Sequence, residues 1–107
     1  RSELLEGADK AIVVLANAMA ADTWCEDSSI ALTYMHLMAT DLGLGSCWVQ
    51  IHLRDKDGVD AESVVRDIVG VDDYYRIVGI MALGNIESQP EPHTPDDLDK
   101  SKIHFLV

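Results

Sequence analysis

The sequence predicts one domain that mixes helix and strand, on three observations. Residues 11–16, 47–51 and 77–83 are short apolar runs bounded by polar or glycine-containing stretches, as expected of strands buried in a sheet. Residues 24–42 repeat their apolar side chains at helical spacing. Helical and strand-like segments alternate along the chain, an order that by itself invites a parallel, doubly wound sheet.

Composition bounds what such a domain does. At 107 residues there is room for one small domain and too little for two. The balance of 48% apolar and 25% charged residues is that of a folded chain rather than a disordered one. Eight Lys plus Arg stand against nineteen Asp plus Glu, a formal charge of −11. Scattered cations in that excess of acid build no basic face for nucleic acid, and anionic membrane surfaces are disfavoured too. The longest apolar runs fall far short of the ~20 residues that span a bilayer. The first residue is Arg1, with no targeting segment, and the expectation is that Arg1 marks a cut in a longer chain. Two cysteines, Cys25 and Cys47, make no disulfide framework, so a reducing cytoplasm is expected.

Taken in order, residues 1–10 read as a short helix with Leu4, Leu5 and Ala8 on one side. Residues 11–16 (Ala-Ile-Val-Val-Leu-Ala) read as a strand buried on both faces, and residues 17–22 as a loop. Thr23 followed three residues later by Glu26 fits a capping box, and Asp27 adds charge favourable to a helix N-terminus. Ile30, Tyr34, Met38 and Leu42 then recur every four residues, with Ala31, Met35 and Ala39 alongside, as one wide apolar stripe expected to pack, and Gly43 is the stop. Residues 54–58 carry an Asp-Gly turn in a charged loop. Residues 59–69 read as a helix with Ala61, Val64, Val65 and Ile68 inward and Gly70 as its cap. Residues 77–83 close the series as a buried strand. All three prolines fall at Pro90, Pro92 and Pro95, and five acidic residues lie between Glu87 and Asp99. That stretch is expected to be an irregular, extended arm, ending in an apolar tail that docks on this chain or another.

Chemistry-bearing constellations are few. Cys25, His36, Cys47 and His52 invite a zinc reading, yet no pair has structural-zinc spacing. Cys25 and His36 lie ~16 Å apart along one helix. Cys47 in an apolar strand is a buried thiol rather than a nucleophile. Gly45-Ser46 lacks the second glycine of a nucleophile elbow. Gly43-Leu44-Gly45 fails as a dinucleotide fingerprint, although its glycines let the backbone pass close to another group. Trp48 taken alone reads as core. Lys100 and Lys102 alternate in a segment expected to be extended, so both ammonium groups point to one side, as a solvated pair or as an anion site.

Taken together, residues 24–31 (Trp-Cys-Glu-Asp-Ser-Ser-Ile-Ala), the helix after them and residues 42–50 (Leu-Gly-Leu-Gly-Ser-Cys-Trp-Val-Gln) resemble the C-terminal half of the nitroreductase family. The strand before this block, residues 80–85 (Ile-Met-Ala-Leu-Gly-Asn) and the Pro-rich arm ending at residues 99–104 (Asp-Lys-Ser-Lys-Ile-His) agree in order. The resemblance implies an α+β fold with a mixed sheet flanked by helices. Of it this chain holds about three strands, one long helix, one or two short helices and the arm. Residues 1–87 fall in the domain and residues 88–107 in its arm and docking tail.

The same resemblance implies an FMN-dependent oxidoreductase that uses NAD(P)H. Hydride passes to flavin N5 and on to a nitroaromatic, a quinone or a similar small electron acceptor, and no side-chain catalyst is needed. It implies cofactor contacts at Gly45, Ser46, Trp48, Val49, Gln50 and Ile51, where main-chain amides face the N5 and O4 edge of the ring. Gln50-Ile51 stands where many relatives carry Glu-Gly. Lys100 and Lys102 fall where a basic pair binds the FMN phosphate. Family members are homodimers about twice this long, and the missing N-terminal half supplies the rest of the phosphate site and much of the interface. A competing reading makes these residues a non-enzymatic packing module that binds no flavin without that half. It predicts apolar exposed faces on the 24–42 helix and on strand 77–83. With the topology that the resemblance implies goes a further expectation, that the arm leaves the globule from Ser88 onward to reach a neighbouring subunit.

Overall fold

A computed structural model of the chain describes residues 7–106. The helix expected over residues 1–10 lies largely outside them. In chain order the elements are β1 (Lys10–Val13), β2 (Ala16–Asn17), α1 (Trp24–Asp41), β3 (Gly45–Gln50), β4 (Asp55–Lys56) and β5 (Val59–Asp60). They continue with α2 (Ala61–Val69), β6 (Tyr75–Arg76) and β7 (Gly79–Gly84), then two 3₁₀ turns at Pro95–Asp97 and Lys100–Lys102.

The class is α+β, and the main sheet is antiparallel. Its strand order is β1-β7-β3, with Met81 of β7 opposite Ile12 on one side and Trp48 on the other. Alternation of helix and strand suggested parallel pairing, but β7 returns between β1 and β3 in the reverse direction. Two pairs of two-residue strands, β2–β6 and β4–β5, complete the pairing. In the second, Asp57 and Gly58 both take positive φ (53° and 79°), the type I′ geometry of a two-residue hairpin, so the expected charged loop is a small hairpin.

The centre of the sheet is β7, and this corrects the reading of residues 11–16. That run was expected to be buried on both faces, yet β1 is an edge strand with Ala11 and Ile12 exposed. Residues 77–82 are buried without a break, since α1 covers one face of the sheet and α2 the other. Strand 77–83 therefore shows no exposed apolar face. On the α2 side, Val49, Ile51, Ile77, Ile80 and Ala82 pack with Ala61 and Val65. On the α1 side, Leu32, Val78 and Met81 pack with Trp24, Met35 and Trp48. Full burial of Leu32, Ile77 and Met81 contributes roughly 1.5–3 kcal/mol each.

Helix α1 ends as its sequence suggests but starts and faces differently. Leu44 N–H donates to the Ala39 carbonyl (2.8 Å) and Gly43 N–H to the Thr40 carbonyl (3.1 Å), the paired bonds of a Schellman stop with Gly43 at φ 74°. At the N-terminus the expected capping box does not form. The Thr23 hydroxyl instead donates to the Asp27 carboxylate at 3.0 Å, which takes it away from the orphan amides. The expected stripe is corrected in part: Ile30, Tyr34, Met38 and Leu42 are exposed, Met38 by 58%, whereas Met35 and Ala39 beside them do pack inward. The packed face is Ser28, Leu32, Met35 and Ala39. Apolar residues wrap most of α1 and leave only the side of Ser29, Thr33, His36 and Thr40 polar, so periodicity excluded that side without choosing among the others.

Helix α2 is capped at both ends. The Asp60 carboxylate accepts from Ser63 N–H at 3.3 Å, and Gly70 at φ 73° donates to the Arg66 carbonyl at 2.8 Å. Ala61 and Val65 pack on the core as expected and Val64 is half-buried, whereas Ile68 is 78% exposed and the buried position of the helix is Glu62.

Beyond β7 every described residue from Asn85 to Leu106 is exposed. The radius of gyration, 16.6 Å, exceeds the ~13 Å of a compact domain this size because of this arm. The arm holds two short 3₁₀ turns where only irregular chain was expected. Thr94 N–H donates to Asp97 at 2.8 Å, and Asp99 accepts from Ser101 N–H at 3.1 Å, so local carboxylates wind the backbone. Phe105 and Leu106 pack against nothing among the described residues. Among those residues, no helix is long and apolar enough to cross a membrane.

Candidate functional site

β3 carries most of the residues singled out in the sequence, and its pairing decides which of their groups are available. Ile51 N–H donates to the Val78 carbonyl at 2.9 Å, which makes Ile51 opposite Val78 a hydrogen-bonded pair. Antiparallel alternation then turns the amides of Gly45, Cys47 and Val49 toward β7 as well. The amides of Ser46, Trp48 and Gln50 point the other way, along an edge of β3 that pairs with no strand among the described residues. Val49 and Ile51 thus spend their amides on the ladder and their side chains on the core.

The side chains of Ser46, Trp48 and Gln50 are each held. The Ser46 hydroxyl meets His36 Nδ1 at 2.5 Å, tying β3 to α1. Among the described residues no carboxylate bonds His36, so this pair lacks the orienting third group of a hydrolytic triad. Trp48 Nε1–H donates to Gln50 Oε1 at 3.0 Å, and Gln50 Nε2–H donates to the His52 carbonyl at 2.9 Å. The indole lies across β7 at Gly79, where an added Cβ would come within 2.7 Å of Trp48 Nε1 and 3.0 Å of the Val49 carbonyl. At the start of β3, a Cβ on Gly45 would meet the Gly84 carbonyl at 3.3 Å, so the two strands approach closely there.

Beneath this edge lies an ion pair that the sequence did not reveal. Glu62, only 5% exposed, accepts from Arg76 Nε (2.9 Å) and Nη2 (3.1 Å) in a two-pronged contact, and from the Ile77 amide (2.9 Å). His52 Nδ1 lies 3.0 Å from its second oxygen, and because an ionised carboxylate only accepts, Nδ1 carries the proton. Burial alone would raise the Glu62 carboxyl. The bonds from Arg76, His52 and Ile77, with the Arg76 charge, outweigh it and hold the group at about 2 against an ordinary 4.5. Glu62 in turn holds the Arg76 guanidinium above its usual value. Arg76 also stacks on Trp24 (4.2 Å to the ring centre), and Trp24 meets His52 edge-on at 5.2 Å. One visible hint was an acid, Glu62, one position after Ala61 on a helix whose other inward residues are apolar.

The remaining predicted residues stand apart. Lys100 and Lys102 lie in the exposed arm, and no hydrogen bond or ion pair among the described residues joins them to β3. They do not alternate in an extended segment as expected. The Asp99–Ser101 bond winds them into a 3₁₀ turn, where residues two apart point about 120° from each other. Among the described residues no three His, Cys, Asp or Glu side chains gather as a metal site. An apolar groove of about 400 Å³ runs between α1 and the sheet, lined in part by Ile12, Tyr34, Met35, Met38, Leu42 and Leu83.

The profile of the Nitroreductase family matches residues 1–85. A curated protein of Archaeoglobus fulgidus, provisionally named NADH dehydrogenase/NAD(P)H nitroreductase, is 26% identical over 107 residues, covering 95% of this chain and 59% of its own. The solved structure of an FMN-dependent nitroreductase from Clostridium difficile R20291 is 37% identical with a TM-score of 0.87, covering 92% of this chain and 57% of that one. A nitroreductase with bound FMN from Desulfitobacterium hafniense DCB-2 superposes with a TM-score of 0.67 at 21% identity, over 97% of this chain and 54% of that one, a likeness of fold. The chain therefore spans between half and two thirds of the length of these relatives.

Proposed function

This chain belongs to the nitroreductase family, and on that premise we propose that it forms part of an FMN-dependent oxidoreductase acting with NAD(P)H on a small electron acceptor. The observation that carries the reading is the edge of β3 that pairs with no strand among the described residues. Its outward amides at Ser46, Trp48 and Gln50 form a row of donors, and the N5 and O4 edge of a flavin offers acceptors to such donors. Relatives named for FMN support the same cofactor. The packing-module reading is not the one these relatives favour.

FMN held there would supply the redox chemistry, carrying reducing equivalents from NAD(P)H to an acceptor such as a nitroaromatic or a quinone. The chain's own part is to bind and orient. Ser46, Trp48 and Gln50 offer amides, while the close approach of Gly45 to β7 leaves room at the head of the strand. Val49 and Ile51 keep the strand seated in the core. Lys100 and Lys102 would neutralise the cofactor phosphate once the arm is laid against it, a charge-assisted contact in an otherwise acidic chain. The exposed apolar face of α1 and the apolar tail fit a homodimer in which the arm crosses to the neighbouring subunit.

FMN titration of the whole protein tests this. The expected result is a yellow protein that quenches added FMN, with Lys100→Ala/Lys102→Ala weakening FMN about tenfold while the flavin spectrum is retained. A colourless protein that leaves FMN fluorescence unchanged overturns the reading.

A further inference from the structure

We propose that the side chain of Gln50 is a positioning group: it holds the unpaired edge of β3 in shape for a flavin, acting through Trp48 and the backbone, while its carboxamide does not itself touch the ring. The inference rests on the cofactor reading above and deepens it.

The orientation of the Gln50 amide is dictated by its neighbours. Trp48 Nε1–H is a donor and nothing else, so the oxygen of Gln50 must face it, at 3.0 Å. The His52 carbonyl is an acceptor and nothing else, so the nitrogen must face that, at 2.9 Å. Both ends of the side chain are engaged within the protein, and each anchor is itself fixed. The Trp48 indole lies against β7 at Gly79, where even a methyl group would collide with it. His52 donates its own amide, like that of Ile51, to the Val78 carbonyl (3.1 and 2.9 Å), and its ring donates to the buried Glu62 (3.0 Å). A continuous line of bonds thus runs from the indole on β3 to the carboxylate on α2.

The residues at one end of this line, Trp48 and Gln50, are those whose amides point along the unpaired edge. Amides on a strand edge with no ladder partner are the first to open. A donor that must meet a ring edge has to be held within about 0.5 Å. Pinning the side chains of Trp48 and Gln50 restrains the backbone between them without using the amides themselves. Glutamate at this position has the same shape but no donor. Its second oxygen would face the His52 carbonyl, acceptor against acceptor, and the line would break there.

The test compares Gln50→Glu and Trp48→Phe with the unaltered whole protein. It follows amide hydrogen exchange at residues 46–50 without FMN, FMN affinity, and the midpoint potential of the bound flavin. Gln50→Glu is expected to speed exchange at Ser46, Trp48 and Gln50 about tenfold and weaken FMN about tenfold. It should also lower the flavin potential, since looser donors stabilise the reduced ring less. Trp48→Phe, which deletes the other bond, should move all three the same way by less, and it carries the test if Gln50→Glu does not fold. Weakened FMN with unchanged exchange would overturn the proposal in favour of direct contact by the side chain. No change in exchange or affinity would overturn it outright. If the unaltered protein binds no FMN, the functional reading fails, while the exchange comparison still decides whether Gln50 holds the edge.

Discussion

The two sides of this small molecule are built to different standards of completeness. Around α2, a buried carboxylate meets two guanidinium nitrogens, an imidazole and a main-chain amide, and no buried side-chain nitrogen or oxygen of the described residues lacks a partner. Around α1 the inward face is equally well packed, with Leu32 at 0% exposure, but the outward face shows Ile30, Tyr34, Leu37, Met38 and Leu42 to solvent. The apolar tail at Phe105 and Leu106 is bare as well. A monomer's surface rarely groups large apolar residues in this way. The first region is closed by its own residues, and the second leaves a broad apolar surface exposed.

Breaking the closed side should have the largest effect. Glu62→Ala leaves the Arg76 guanidinium and the Ile77 amide without their acceptor, and a loss of about 3 kcal/mol or more is expected in urea unfolding. The same group predicts a pH dependence. Its carboxyl is held down in the folded state, so the stability it contributes is fully present above its unfolded value near 4.5 and is lost as pH falls toward 2. An acid titration of stability should show roughly 3 kcal/mol lost across that window, and Glu62→Gln should flatten it. Gly79→Ala comes next, at about 1–3 kcal/mol with a shift in tryptophan emission, because the new methyl displaces the Trp48 indole. Smallest of all is Ile68→Ser, expected within about 0.5 kcal/mol because this side chain points away from the sheet. A large loss there would mean that α2, too, has a covered outer face.

How much of this was legible in the residues differs by element. The α1 stop at Gly43, the α2 cap at Gly70 and the Asp57-Gly58 turn are short-range events, and their chemistry sits within a few positions of the chain. The class of the fold and the stretch from Gly45 to Ile51 were legible through the ordered blocks shared with the family. The buried face of α1 was not, because apolar residues lie on both sides of that helix and only the sheet selects between them. Nor was the Glu62–Arg76 pair, whose partners stand fourteen residues apart and meet only once β6 follows α2 back to the sheet. Capping at Thr23 misled for a local reason: Asp27 competes for the hydroxyl that should have reached an amide.

Sequence alone thus determined the segments, the turns and the strand to which a cofactor reading attaches, since each depends on neighbours along the chain. Tertiary structure decided which side of each segment faces in, and which amides of β3 remain for a ligand. Both depend on strand register, because a shift of one residue in an antiparallel pair exchanges every inward group for an outward one.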